Sequence, residues 1–117
     1  MIFKNEEHKK SYEEFKLRAC ISEFDKERKS LFYLLALLEE TRNHINDLYD
    51  FENNWIKHEG LNKGWQTSSS IKVSKLAFNL YNGWKGEDGD DYSPLELFSV
   101  SDENREYLLE SIRIRFS

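Results

Sequence analysis

The run from Leu31 to Leu38 reads Leu-Phe-Tyr-Leu-Leu-Ala-Leu-Leu, in a chain of which 33% of residues are charged. It has no polar side to offer water, so it must be covered from several directions at once. A helix that is apolar all round is a core element. The run is far shorter than the ~20 apolar residues needed to cross a bilayer. Leu31, Leu34, Leu35 and Leu38 are therefore expected in the core, with Phe32 and Tyr33 packing on other neighbours.

The flanking sequence supplies what would cover it. From Asn5, a helix cap, to Cys20, apolar Tyr12, Phe15 and Ala19 step by three and four, with Glu6 and Glu7 in the first turn and Arg18 near the end. Carboxylates at the start and a cation at the end both suit the helix dipole. The second helix would start after Ser22, since residues 25–40 contain no Gly or Pro. Thr41 or Asn43 is expected to cap a third, carrying Ile45, Leu48 and Tyr49 and beyond them Phe51, Trp55 and Ile56. The segment from His58 to Ser70 holds two glycines and a polar cluster and reads as a long loop. Thr67 or Ser68 can cap the next helix, with Val73, Leu76, Ala77, Leu80 and Tyr81 buried and Asn82-Gly83 as its stop. After an acidic loop, residues 87–91, Ser93-Pro94 opens a short helix. Ser101 opens a last one, burying Leu108, Leu109, Ile112 and Phe116. Residues 112–116 alternate and also fit a short strand. The expectation is an all-α single domain over residues 1–117, a bundle of about five or six helices around the central apolar one.

Composition removes several functions. At 117 residues one core is the default. The net charge of −5 argues against binding driven by phosphate neutralisation, so a nucleic-acid role ranks last. The N-terminus turns polar at once and lacks the pattern of a secretory signal. One cysteine, Cys20, cannot form an internal disulfide. Both features lead to the expectation of a cytoplasmic protein with no membrane segment.

The chemistry-bearing residues do not assemble into a reaction. His8, His44 and His58 lack the spacing of a helical zinc site, so no metal or other cofactor is expected. His44 fits a hydrogen-bonded, partly buried ring, and Cys20 fits a small apolar filler better than a nucleophile. The acidic loop lacks the register of a calcium-binding EF-hand. Acids at Glu39, Glu40, Asp47, Asp50 and Glu52 are interspersed with bases, which suits a solvated face rather than a DNA mimic. The helices around Asp47 and Val73 are separated by too long a loop for a helix-turn-helix.

One segment stands out. The loop from Gly60 to Ser70 brings Lys63, Trp65, Gln66, Thr67 and Ser68 to the start of a helix, the ingredients of an anion site. It does not match the phosphate-binding Gly-x4-Gly-Lys-Ser/Thr pattern, because Trp65 follows Gly64. The spacing favours a structural loop that caps a helix and tucks Trp65 inward. No catalytic residue is assigned.

The stretches Asn43-His-Ile-Asn-Asp-Leu-Tyr-Asp-Phe51, Glu59-Gly-Leu-Asn-Lys-Gly-Trp-Gln-Thr67, Ser70-Ile-Lys-Val73 and Leu76-Ala-Phe-Asn-Leu-Tyr-Asn-Gly83 carry a resemblance. The chain resembles a domain of unknown function found in small proteins of Gram-positive bacteria, their phages and integrated elements. The resemblance implies a small accessory protein of the bacterial cytosol and brings no catalytic residues with it. Two classes of function follow. One is stoichiometric binding to a protein partner, most concretely a host defence protein, as anti-CRISPR proteins do, with Lys63, Trp65 or Trp84 as anchors. The other is a small enzyme or ligand-binding protein using the loop from Gly60 to Ser70 and the following helix N-terminus.

Overall fold

The computed structural model describes residues 1–86, 94–98 and 103–117. Helix α1, Glu6–Ala19, starts where the Asn5 side chain accepts the His8 amide at 2.8 Å. His8, Tyr12, Phe15 and Ala19 form its buried stripe. It ends at Cys20, held at φ 54°, while the Ile21 amide reaches back to the Lys16 carbonyl. This left-handed cap turns Cys20 off the buried stripe, so the cysteine is exposed and is not the apolar filler expected of it.

Helix α2, Lys26–Leu35, is capped by Asp25, whose side chain accepts the Arg28 amide at 3.0 Å. Every residue from Leu31 to Leu38 is buried. The helix itself stops at Leu35, short of the expected extent, and the chain turns through residues 36–38. Arg42 makes that stop possible: its guanidinium donates to the carbonyls of Ala36 and Leu37 at 3.0 and 3.2 Å, satisfying acceptors at the end of α2. Helix α2 packs against α1 and against two later helices, α5 (Ser68–Asn82) and α7 (Arg105–Arg115).

The expected third helix is instead four short elements. Helices α3 (Glu39–Asn43) and α4 (Ile45–Leu48) are followed by strands β1 (Tyr49–Asp50) and β2 (Trp55–Ile56), antiparallel with Tyr49 opposite Ile56. Thr41 is buried within α3 and donates to the Leu38 carbonyl, rather than capping. The reversal has a local cause. The Asp50 carboxylate accepts the amides of Glu52 and Asn53, and Asn54 adopts φ 56°. Short polar side chains thus offer the backbone a turn in place of helix. Trp55 consequently projects from a strand and is exposed, not part of a helical stripe.

The segment expected to be loop contains a 3-10 turn, His58–Asn62. Helix α5 then begins with a reciprocal cap between Thr67 and Ser70 and ends at Gly83, φ 80°. Helix α6 is Pro94–Phe98. The acidic run at 87–91 and the expected caps Ser93 and Ser101 lie outside the described residues. Helix α7 continues through Arg115, so residues 112–115 are helix and the strand alternative is excluded. Its buried positions are Leu108, Ser111 and Ile114. That phase, set by the start at Arg105, leaves Leu109 and Phe116 exposed where burial was expected. The protein is mainly α-helical, with a small two-stranded sheet among the described residues. No helix among the described residues is long and apolar enough to cross a membrane.

Candidate functional site

The loop that leads into α5 is braced by the side chains of Gln66, Thr67 and Ser70. Gly60 presses on α4 so closely that a Cβ there would lie 2.2 Å from the Asp47 carbonyl oxygen. Gln66 spans the loop: its Nε2 donates to the Gly60 carbonyl at 3.0 Å, and its Oε1 accepts the Ser70 hydroxyl at 2.5 Å. The amides of Thr67 and Ser70 donate to each other's hydroxyl oxygens at 2.7 and 3.1 Å. Together these bonds engage the hydroxyls of Thr67 and Ser70 within the cap itself. Thr67 Oγ1 also donates to Glu40 Oε2 at 3.4 Å, so a carboxylate already sits at this helix end.

Trp65 is half-buried against the core. Its ring stacks on His44 with centroids 4.4 Å apart and planes within 8°. Its Nε1 donates to Asp47 Oδ2 at 2.9 Å. His44 is fixed in turn, with Nδ1 2.9 Å from the Glu40 carbonyl oxygen, the partly buried, hydrogen-bonded histidine expected. Lys63, Gly64 and Ser68 face solvent. The structure thus gathers Lys63, Trp65, Gln66, Thr67 and Ser68 on one rigid loop, but points their polar groups to different ends.

Trp84 joins from the far end of α5. Gly83 reverses the chain, and Asn79 Nδ2 donates to the Trp84 carbonyl at 3.1 Å. The indole stacks on His58 at 4.9 Å and 13°, and Phe78 meets both rings edge-on. Beside this pair opens a cavity of about 510 Å³, lined by the 3-10 turn, by Ile71 and Lys75 of α5, and by Trp84. The sequence pointed to His58 only as a metal ligand, without the spacing for one, and did not single out Lys75. His58 lies 26 residues from Trp84 in sequence, and no periodicity links a turn to a residue beyond a helix stop. His58 Nε2 is buried with no hydrogen-bond partner among the described residues. No cluster of three or more potential metal ligands is found among the described residues.

No curated protein and no solved structure matches this chain. Its whole length, residues 1–117, matches one family model, and the protein belongs to that family of unknown function, DUF6075.

Proposed function

We propose that the protein is a small non-catalytic accessory protein that acts by stoichiometric binding to a protein partner. Its most concrete form is inhibition of a host defence system in the bacterial cytosol, in the manner of anti-CRISPR proteins, from a phage or mobile element. The defence role rests on analogy with accessory proteins of this size. The observation that supports binding is the pre-organised loop. Trp65, Gln66, Thr67 and Ser70 are already immobilised by internal bonds, so little ordering entropy remains to be lost when Lys63 and the neighbouring aromatic surface meet a partner. In this reading α2 is the central apolar helix, and its role is to hold α5 and the loop rigid.

Gln66 is unsuited to testing this, because it braces the loop. Lys63 is suited, being exposed and contributing no brace. Capture from host lysate should identify a partner, and a binary titration should then show Lys63→Glu weakened by about tenfold or more, the worth of one interfacial charge contact. Arg113→Ala, at an exposed position of α7, should bind as the unaltered protein does. Unchanged affinity for both Lys63→Glu and Trp84→Ala would remove this face from the interface. The second reading, ligand binding or a small enzyme at the loop from Gly60 to Ser70, is favoured by the cavity beside that loop. A thermal-shift screen with nucleotides and small anions that gave no rise in Tm would count against it.

A further inference from the structure

The hairpin register sorts its side chains between two faces. Tyr49 and Ile56 pair across β1 and β2 and are buried, so the next pair, Asp50 and Trp55, lies on the outward face. Trp55 is 56% exposed there, although tryptophan is deeply buried on average. The indole is nonetheless held in place. It meets the Tyr81 ring edge-on at 6.5 Å, and Tyr81 Oη accepts from Arg28 at 3.1 Å. Its cross-strand neighbour is an ionised carboxylate: Asp50 accepts the Asn53 side chain and the amides of Asn53 and Glu52, and these bonds, the side-chain one first, lower its pKa. The cations around the hairpin are already engaged. Arg28 pairs with Asp25 at 3.0 Å, Lys57 Nζ donates to the Asn46 carbonyl at 2.9 Å, and Arg18 donates to Asn46 and lies over the Phe51 ring. Of the charged groups here, only the exposed Glu52 carboxylate has no partner among the described residues.

We propose that this face docks an arginine side chain of a protein partner, its guanidinium stacked on Trp55 and its N–H groups on the carboxylates of Glu52 and Asp50. An open indole attracts a cation through its negative face. The charge agrees, since the unanswered group is a carboxylate in a protein of net charge −5. Asp50 Oδ2 takes one bond within the turn, from Asn53 Nδ2, and has an acceptor position left. Arginine suits the pair better than lysine, because a planar fork can lie on a ring and still donate in its own plane to a carboxylate. Tryptophan is a leading anchor type at interfaces, and an indole already held by Tyr81 loses little freedom on docking. The inference goes beyond the binding role argued for the loop from Gly60 to Ser70: it names another anchor and draws on none of Lys63, Trp65 and Trp84.

The test is an NMR titration of the purified full chain with a capped Gly-Arg-Gly-Arg-Gly peptide, read at the indole N–H signals of the three tryptophans. Citrulline in place of both arginines keeps the shape and removes the charge, and lysine keeps the charge and removes the fork. The arginine peptide should shift the Trp55 signal saturably and leave those of Trp65 and Trp84 where they are. The citrulline peptide should bind about fivefold or more weakly, and the lysine peptide about twofold or more. Glu52→Gln should weaken the arginine peptide about threefold, and Trp55→Leu should remove its shifts at the amides of residues 50–56. No saturable shift at Trp55 would overturn the proposal, as would affinity for the citrulline or lysine peptide equal to that for arginine, or movement of the Trp65 or Trp84 signal instead. The comparison among peptides on the unaltered chain decides the matter even if Trp55→Leu folds poorly, and its failure would leave the role of Lys63 untouched.

Discussion

His8 Nε2 donates to the carbonyl oxygen of Tyr33 at 2.8 Å, tying α1 to α2 inside the core. On the other side of the ring, Nδ1 accepts the Lys4 amide at 3.1 Å. With one nitrogen accepting and the other donating, the neutral tautomer is fixed and no site is left for a second proton. The ring is fully buried, and that burial lowers its pKa from 6.5 to about 4, opposed by the bond to Tyr33. The unfolded chain therefore binds a proton that the folded one refuses between these values. Stability from this residue is complete above pH 6.5 and is lost as pH falls through 4. The loss should be about 2 kcal/mol between pH 7 and pH 5 and roughly 3 kcal/mol in full. Urea unfolding at the two pH values measures it. His8→Gln, which keeps a donor and an acceptor but does not titrate, should flatten that slope. An equal slope in the variant would show that other groups govern the acid limb.

Two glycines of one loop should respond in opposite ways to alanine. At Gly60 the added carbon falls 2.2 Å from the Asp47 carbonyl oxygen and 2.8 Å from a Leu48 methyl, and backbone cannot step aside cheaply. Gly60→Ala should cost about 2–3 kcal/mol, the scale of overpacking a buried contact. At Gly64 nothing lies within 4 Å of the added carbon. Gly64→Ala should be neutral or raise stability by up to about 1 kcal/mol, because it restricts the unfolded chain. Thermal melts of the two variants separate the outcomes, and a Gly60→Ala protein as stable as the parent would mean that α4 and the 3-10 turn are not pressed together.

How far such features were legible in the sequence depends on the range of the interaction. Asn5, Thr67 and Gly83 act within one helical turn, so their roles could be read directly, as could burial from Leu31 to Leu38. The hairpin was missed because Leu48, Tyr49, Phe51, Trp55 and Ile56 fit a helical stripe as well as a strand pair. The deciding signal was the polar set Asp50, Asn53 and Asn54, whose side chains build a turn. On the site side, the loop from Gly60 to Ser70 was visible from its glycines and hydroxyls. Its braces were not, since Asp47 and Glu40 reach it from two other helices, α4 and α3. The His58 and Trp84 pair depends on where the chain returns after Gly83, which local pattern does not encode.

Arg28 joins three parts of the fold that are distant in sequence. Its guanidinium donates to Tyr49 Oη at 3.0 Å, Tyr81 Oη at 3.1 Å and the Asn54 carbonyl at 3.3 Å, and pairs with Asp25 at 3.0 Å. The α2 cap, the hairpin and the end of α5 thus share one cation. Lysine carries the charge but not the planar fork, so Arg28→Lys should lose most of these bonds and cost about 2 kcal/mol. Arg28→Ala, which also removes the counter-charge of Asp25 and a donor from each of two phenols, should cost about 3 kcal/mol or more. Denaturant midpoints measure both. If lysine were tolerated within about 0.5 kcal/mol, the charge alone would be sufficient and the fork geometry immaterial.

The start of α5 makes a prediction whose sign reverses the usual rule for helix caps. Asp and Asn are ordinarily interchangeable at an N-cap, and the helix dipole gives Asp a slight advantage. At Thr67 the hydroxyl lies 3.4 Å from Glu40 Oε2, so a carboxylate placed there would face another across little more than a hydrogen-bond length. Like charges about 4 Å apart at a wet surface repel by about 1 kcal/mol or more. Thr67→Asn should therefore hold stability near that of the parent, while Thr67→Asp should fall below it by about 1 kcal/mol in low salt. In 1 M NaCl, where screening acts within roughly 3 Å, the gap between the two should shrink. Pairing Thr67→Asp with Glu40→Gln should restore the ordinary order, with Asp as good a cap as Asn. Urea unfolding of these variants at two salt concentrations checks each step. A Thr67→Asp protein more stable than Thr67→Asn in low salt would place Glu40 away from the cap and reopen this helix end to anions.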